Sequence, residues 1–203
     1  MMNEKTKIIL STEHLIGKTQ NDLIQELVLN RGDKMPKNIR SRIAKAIFKN
    51  IDERLLNTIS IRTISVKNNN SPKESLPLAQ IVYTEIIHEN WEDSKLFKTL
   101  NTDFIFLIFS DKLKNDKNPY LKDIILWKMN KSDLAIVKMF WELSKENICE
   151  GDYKNFISIK SNFICHVRTK GANKNDLMKT PQHTKEVKRA FWLNASYLKS
   201  KIL

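Results

Sequence analysis

The chain has 203 residues, enough for one domain (1–203) with a sizeable core. With 35 Lys and Arg against 23 Asp and Glu, its net charge of +12 suits a polyanionic partner, either nucleic acid or an anionic membrane, and also fits a generic Lys-rich surface. No apolar run approaches the roughly 20 residues of a membrane span, and no signal-peptide pattern opens the chain.

Cys149 and Cys165 stand far apart without ligand spacing, which argues against a disulfide framework or a zinc site. Both read as buried structural thiols of a cytoplasmic protein. Four glycines and five prolines argue against a long flexible linker.

Ser11 and Thr19 are candidate helix N-caps. Thr19-x-x-Asp22 imitates a capping box, with Leu23, Ile24, Leu27 and Val28 following at helical spacing and Arg31-Gly32 as the stop. Asn38 can cap a second helix with Ile39, Ile43, Ile47 and Ile51 on one face. Arg40, Arg42, Lys45 and Lys49 lie on the other, as a solvated face or a DNA contact. Thr58 to Val66 alternates as a strand does, placing Ser60, Arg62, Ile64 and Val66 on one side, and a loop over 67–72 follows.

From Leu78 to Glu89 the apolar residues fit either period. Trp91 to Leu100 reads as a helix with Trp91, Leu96, Phe97 and Leu100 inward. Asp103 to Phe109 is a continuous apolar strand covered on both faces, and Ile124 to Met129 is another strand. Ser132 caps a long helix running to Glu150, where Gly151 stops it. Strands near 163–168 and 186–193 and a last helix complete the order. The result is an α/β domain with a central, partly parallel sheet flanked by helices.

The last forty residues carry most of the chemistry. Phe163-Ile164-Cys165 runs into His166-Val167-Arg168-Thr169-Lys170, and Gly171-Ala172-Asn173 lets the chain turn. Basic residues recur at Lys185, Lys188 and Arg189. Phe191-Trp192-Leu193 is an apolar anchor, and Asn194 is a candidate N-cap. Such a basic hairpin-like unit, held by buried strands at both ends, can present cations to phosphates and base edges. The four histidines lack metal spacing, and His166 reads as a structural histidine. The four tryptophans read as core or strand anchors.

The segment 166–173, H-V-R-x-K-G-A-N, followed by K-x-x-F-W-L-N over 188–194, resembles the C-terminal part of the MutH mismatch-repair endonuclease family. Within it, the likeness is closest to the Sau-type, GATC-cutting type II restriction enzymes. The ISIRTISV strand, the SPKES loop, the WEDSKLF helix and the LWKM strand extend the resemblance over nearly the whole chain. It implies the restriction-endonuclease-like fold and a double-stranded DNA partner. It also implies DNA contacts from Arg168, Lys170 and Lys188, with Asn173 and Arg189 as backbone contacts.

Active members of that family use acidic groups and a Lys around Mg²⁺, with Glu and Lys two apart on one strand. Here Ser60 stands at the Glu position and Arg62 at the Lys position, while Lys45 falls where a further Glu is expected. Asp52 or Glu53 can match the first acid. Serine brings no anionic charge, arginine stays protonated, and Lys45 repels a cation.

No Mg²⁺ or other cofactor is therefore expected for this chain alone. It reads as a non-cutting, MutH-like DNA-binding half that acts with a catalytic half or a second copy. The alternatives are an active type II endonuclease using Asp52, Glu53 and Glu74, and a non-specific basic interaction protein.

Overall fold

The structure, a computed structural model, describes residues 4–29, 35–114, 116–161 and 163–203. The early elements are α1 (Glu4–Thr12), α2 (Gln20–Glu26), α3 (Ile39–Ile47), α4 (Glu53–Leu56), β1 (Ile59–Val66), β2 (Leu76–Gln80), α5 (Tyr83–Ile86) and α6 (Lys95–Leu100). Then come β3 (Asp103–Ser110), β4 (Tyr120–Trp127), α7 (Lys131–Glu150), β5 (Cys165–Thr169), β6 (Leu177–Lys179), β7 (Lys185–Val187), β8 (Arg189–Leu193) and α8 (Ala195–Lys201). They fall into two compact units, one of 1–73, 102–128 and 202–203, the other of 74–101 and 129–201. Among the described residues no helix is long and apolar enough to cross a membrane.

The first unit is built on a mixed, partly parallel sheet of order β1-β3-β4, with β1 parallel to β3 and β3 antiparallel to β4. β3 is central, and its apolar run is buried from Phe104 to Ser110. Alternation gives the sheet two different faces. Ile59, Ile105, Leu107, Phe109 and Ile124 form one core with Leu23 and Ile24 of α2 and Ile39 and Ile43 of α3. The register puts Ser60 beside Phe104 and Arg62 beside Phe106 on the opposite face. There Phe104 and Phe106 stack with centroids 5.3 Å apart, and Trp127 tilts against both.

Helix ends follow local hydrogen bonding. Thr19 and Asp22 form the expected capping box. Val28 then takes a left-handed φ of 50°, a strained conformation for a β-branched residue. The expected stop at Arg31-Gly32 lies outside the described residues. Ser11 is not a cap: it sits in the last turn of α1, where its hydroxyl donates to the Ile8 carbonyl. Asn38 occupies the N-cap position of α3 without a side-chain cap bond, and Ile51 lies beyond the helix.

Arg40 is not on a solvated face. Its Nε donates to Gln20 Oε1 at 3.1 Å, Nη1 donates to Ser65 Oγ, and the guanidinium lies over the Phe109 ring. Asn130, not Ser132, caps α7 by accepting from the Asp133 N–H, and Ser132 donates to the Asn130 side chain. Gly151 ends that helix at φ 75°, as expected.

The second unit holds an antiparallel sheet of order β2-β8-β5, so the strands divide between two sheets instead of extending one. β6 and β7 form a separate two-stranded ribbon in the chain between β5 and β8. α5 supplies Tyr83, fully buried, whose hydroxyl donates to the Val187 carbonyl at 2.6 Å. Burial pushes the Tyr83 phenol pKa up, against the lowering effect of Arg189.

Cys165 is buried, and burial raises its thiol pKa to about 12, so it is an inert core thiol. Cys149 corrects the expectation of two buried cysteines. It is exposed, because its position on α7 faces away from the inward stripe of Val137, Trp141, Ser144 and Ile148.

Candidate functional site

The second unit presents the basic segment between β5 and β8. Arg168 lies within β5 and pairs with Ala190 of β8. It is exposed, with its guanidinium over the Trp192 ring at 5.2 Å. Stacking holds the planar fork without using its N–H donors. Lys170 continues the pairing by one bond, its N–H donating to the Lys188 carbonyl at 2.8 Å, and its side chain is exposed.

The turn that follows is organised by Asp176, a residue the sequence reading did not single out. Asp176 accepts from the Ala172 N–H at 3.0 Å and pairs with Lys188 at 2.5 Å. Its own N–H donates to the Asn173 carbonyl. A side chain at Gly171 would meet Asp176 Cβ at 3.1 Å and the Asn173 and Asp176 carbonyl oxygens at 3.2 Å, so glycine is what permits this close turn. The Lys188 ammonium, then the Ala172 N–H, hold the Asp176 carboxyl below its ordinary pKa. Asn173 Oδ1 accepts from the Asn175 N–H, so its side chain also shapes the turn.

Arg189 stands apart from Arg168. It pairs with Thr169, one residue on from Arg168, and so falls on the other face of the β5–β8 pair. Its Nη1 donates to Tyr83 Oη at 3.1 Å and approaches Glu186 at 3.5 Å, and the guanidinium lies over the Phe156 ring. His166 is buried with Nδ1 against Asn194 Oδ1, the satisfied structural histidine its position suggests.

In the first unit, β1 brings Ser60 and Arg62 together. Arg62 Nε donates to Ser60 Oγ at 3.2 Å, so the two-residue spacing does put them on one face. Arg62 is partly buried, and burial pushes its pKa down. Lys45 is exposed on α3, which packs on the opposite face through Ile39 and Ile43. Glu53 is exposed in the first turn of α4, and Asp52 caps that helix by accepting from the Arg54 N–H.

Residues 45–139 match the family model described as DNA mismatch repair enzyme MutH. The chain is 25% identical over 235 residues to the type II restriction enzyme Sau3AI of Staphylococcus aureus, an alignment covering 89% of this chain and 47% of that protein. The chain is thus similar to the MutH-like, Sau-type restriction endonucleases. It is also 29% identical over 115 residues to the DNA mismatch repair protein MutH of Shewanella woodyi, covering 57% of this chain and 49% of that one. The chain spans about half the length of these curated relatives.

The MutH-like frame gives Ser60, Arg62 and Lys45 a test: do they fit the Mg²⁺ of catalytic members? Mg²⁺ takes hard oxygen ligands, usually one or two carboxylates. A neutral hydroxyl hydrogen-bonded to a guanidinium is not such a donor set. Among the described residues no group of three or more His, Cys, Asp or Glu is placed to hold a metal ion, Asp52, Glu53 and Glu74 included. The residues present do not fit the family's cation.

Proposed function

We propose that this chain is a sequence-specific, double-stranded DNA-binding domain of the MutH-like, Sau-type family that does not itself cut, and that it acts with a catalytic MutH-like half. The observation that carries this is the Ser60–Arg62 pair on β1, a hydroxyl bonded to a cation, which the resemblance matches to the family's Glu and Lys. Without a carboxylate there, a divalent metal lacks its ligand. Arginine, protonated throughout the working pH range, cannot shuttle a proton to or from the attacking water.

The binding side rests on exposed Arg168 and Lys170 at the end of β5, and on the net charge of +12. An arginine fork can donate two bonds to guanine O6 and N7 in the major groove. Stacking on Trp192 orients that fork before binding and so lowers the entropic cost of contact. The relatives' names supply the DNA class, and GATC-like sites are the proposed target. The greater length of Sau3AI, of which the alignment covers 47%, supports a working unit with two halves.

One experiment tests both parts: gel shift and cleavage on a GATC duplex and a scrambled duplex, with Mg²⁺. The expected outcome is a salt-sensitive shift favouring GATC, with the duplex uncut. Mg²⁺-dependent cleavage that survives repurification and is abolished by Glu53→Ala would overturn the non-cutting assignment. Equal affinity for both duplexes would overturn sequence specificity and leave a general polyanion binder.

A further inference from the structure

Arg62 is a cation held partly out of water without an anion. Its Nε is bonded to Ser60 Oγ, and among the described residues no carboxylate pairs with it and no hydrogen bond takes its two Nη groups. It stands beside Phe106 in the strand register, on the sheet face that carries the Phe104, Phe106 and Trp127 rings. Withdrawing a charge from water into such surroundings is unfavourable unless the charge is paired. Burial alone lowers the pKa of Arg62, and no neighbouring charge offsets it. Folding therefore gives no reason for an arginine here, whereas an incoming anion does.

We propose that the Ser60–Arg62 pair is a phosphate-binding site that grips one phosphodiester of the DNA backbone directly. This deepens the proposed function and rests on its DNA-binding reading. In a metal-dependent nuclease, a carboxylate and a divalent ion together present net positive charge to the phosphate. At the matching place on β1, a guanidinium presents positive charge by itself and needs no metal.

Ser60 Oγ holds Nε and, among the described residues, leaves the two Nη groups without a hydrogen bond, a fork of the kind that matches two phosphate oxygens. The Ser60 hydroxyl accepts from Nε and keeps its own proton to donate to the same phosphate. The changes at both positions thus act together, turning a place for a cation into a place for an anion.

The test uses the whole chain, with Arg62→Met as the variant, because Met keeps an unbranched apolar stem and removes the unpaired charge. On the GATC duplex, Arg62→Met should weaken binding about tenfold or more and lower the salt slope by about 1. Its thermal midpoint should stay level or rise, which a structural arginine would not allow. Arg62→Lys should bind between the two, with the slope retained. A single neutral methylphosphonate, scanned along the backbone, should weaken the wild type at one position where Arg62→Met is indifferent.

Wild-type binding matched by Arg62→Met in affinity and slope would overturn this site and leave the DNA-binding reading intact. A lowered midpoint for Arg62→Met would make Arg62 a structural cation and overturn the site too. Failure of the wild type to bind any duplex would overturn the DNA reading and this site with it.

Discussion

The two units each hold an arginine withdrawn from solvent, and they hold it in opposite ways. Arg189 in the second unit has Tyr83, Glu186 and the Phe156 ring around it, and its side chain is 16% exposed. Arg62 in the first has the Ser60 hydroxyl and, among the described residues, no acid. Both read as basic residues in a basic chain, yet one is satisfied by the fold and the other is waiting for an anion. What a cation does is told by its partners more than by its charge.

The comparison breaks most readily at Arg189. Arg189→Ala removes a charged hydrogen bond to a buried tyrosine, an ion-pair partner and a ring contact. It should destabilise the protein by about 1.5–3 kcal/mol in denaturant titrations. Tyr83→Phe should share part of that loss, because the same hydroxyl also donates to Val187. If Arg189→Ala instead leaves stability unchanged and lowers the salt slope by about 1, Arg189 contacts phosphate and the contrast with Arg62 is lost.

A second, somewhat smaller effect sharpens the comparison at an exposed arginine. Arg168→Ala should cost about 1–3 kcal/mol of binding and reduce the preference for GATC over scrambled duplex. Arg168→Lys should not restore discrimination fully, because lysine lacks the planar fork and stacks less well on Trp192. Titrations on both duplexes at several salt concentrations measure this. Equal weakening of the two duplexes by Arg168→Ala would reduce Arg168 to a phosphate clamp.

How far the sequence leads depends on the range of the interactions involved. The β1 alternation, the apolar run of β3, the Thr19 box and the Gly151 stop are local signals, and the structure carries all four. Ser11 and Ser132 misled because a serine near a helix end reads as a cap, whereas each hydroxyl bonds to a nearby residue instead. β2 stayed ambiguous because Leu76–Gln80 is short and contains Pro77.

At the candidate site, the spacing of Ser60 and Arg62 was enough to place them on one face. The anchoring of Arg189 by Tyr83 was not legible, since the two lie 106 positions apart. Asp176 was missed for a similar reason: its partner Lys188 is reached only once the ribbon of β6 and β7 has folded back.

The smallest expected effect concerns that Asp176–Lys188 pair, which already neutralises a cation assigned to phosphate. Lys188→Ala should therefore lower the salt slope by less than Lys170→Ala does, because Lys170 is exposed and Lys188 is shared with a carboxylate. Asp176→Asn should release Lys188 and raise affinity for scrambled duplex more than for GATC, at the cost of a looser turn. The pH dependence has a definite sign. The folded-state pKa of Asp176 is depressed, so its contribution is complete above the unfolded value of about 3.9 and fades as pH falls through the lower folded value. The Ala172 amide, which donates to Asp176, should lose hydrogen-exchange protection over that acidic window and not between pH 5 and 8. Unchanged Ala172 protection down to pH 2, or a Lys188→Ala slope change as large as that of Lys170→Ala, would show that Asp176 does not restrain Lys188 in solution.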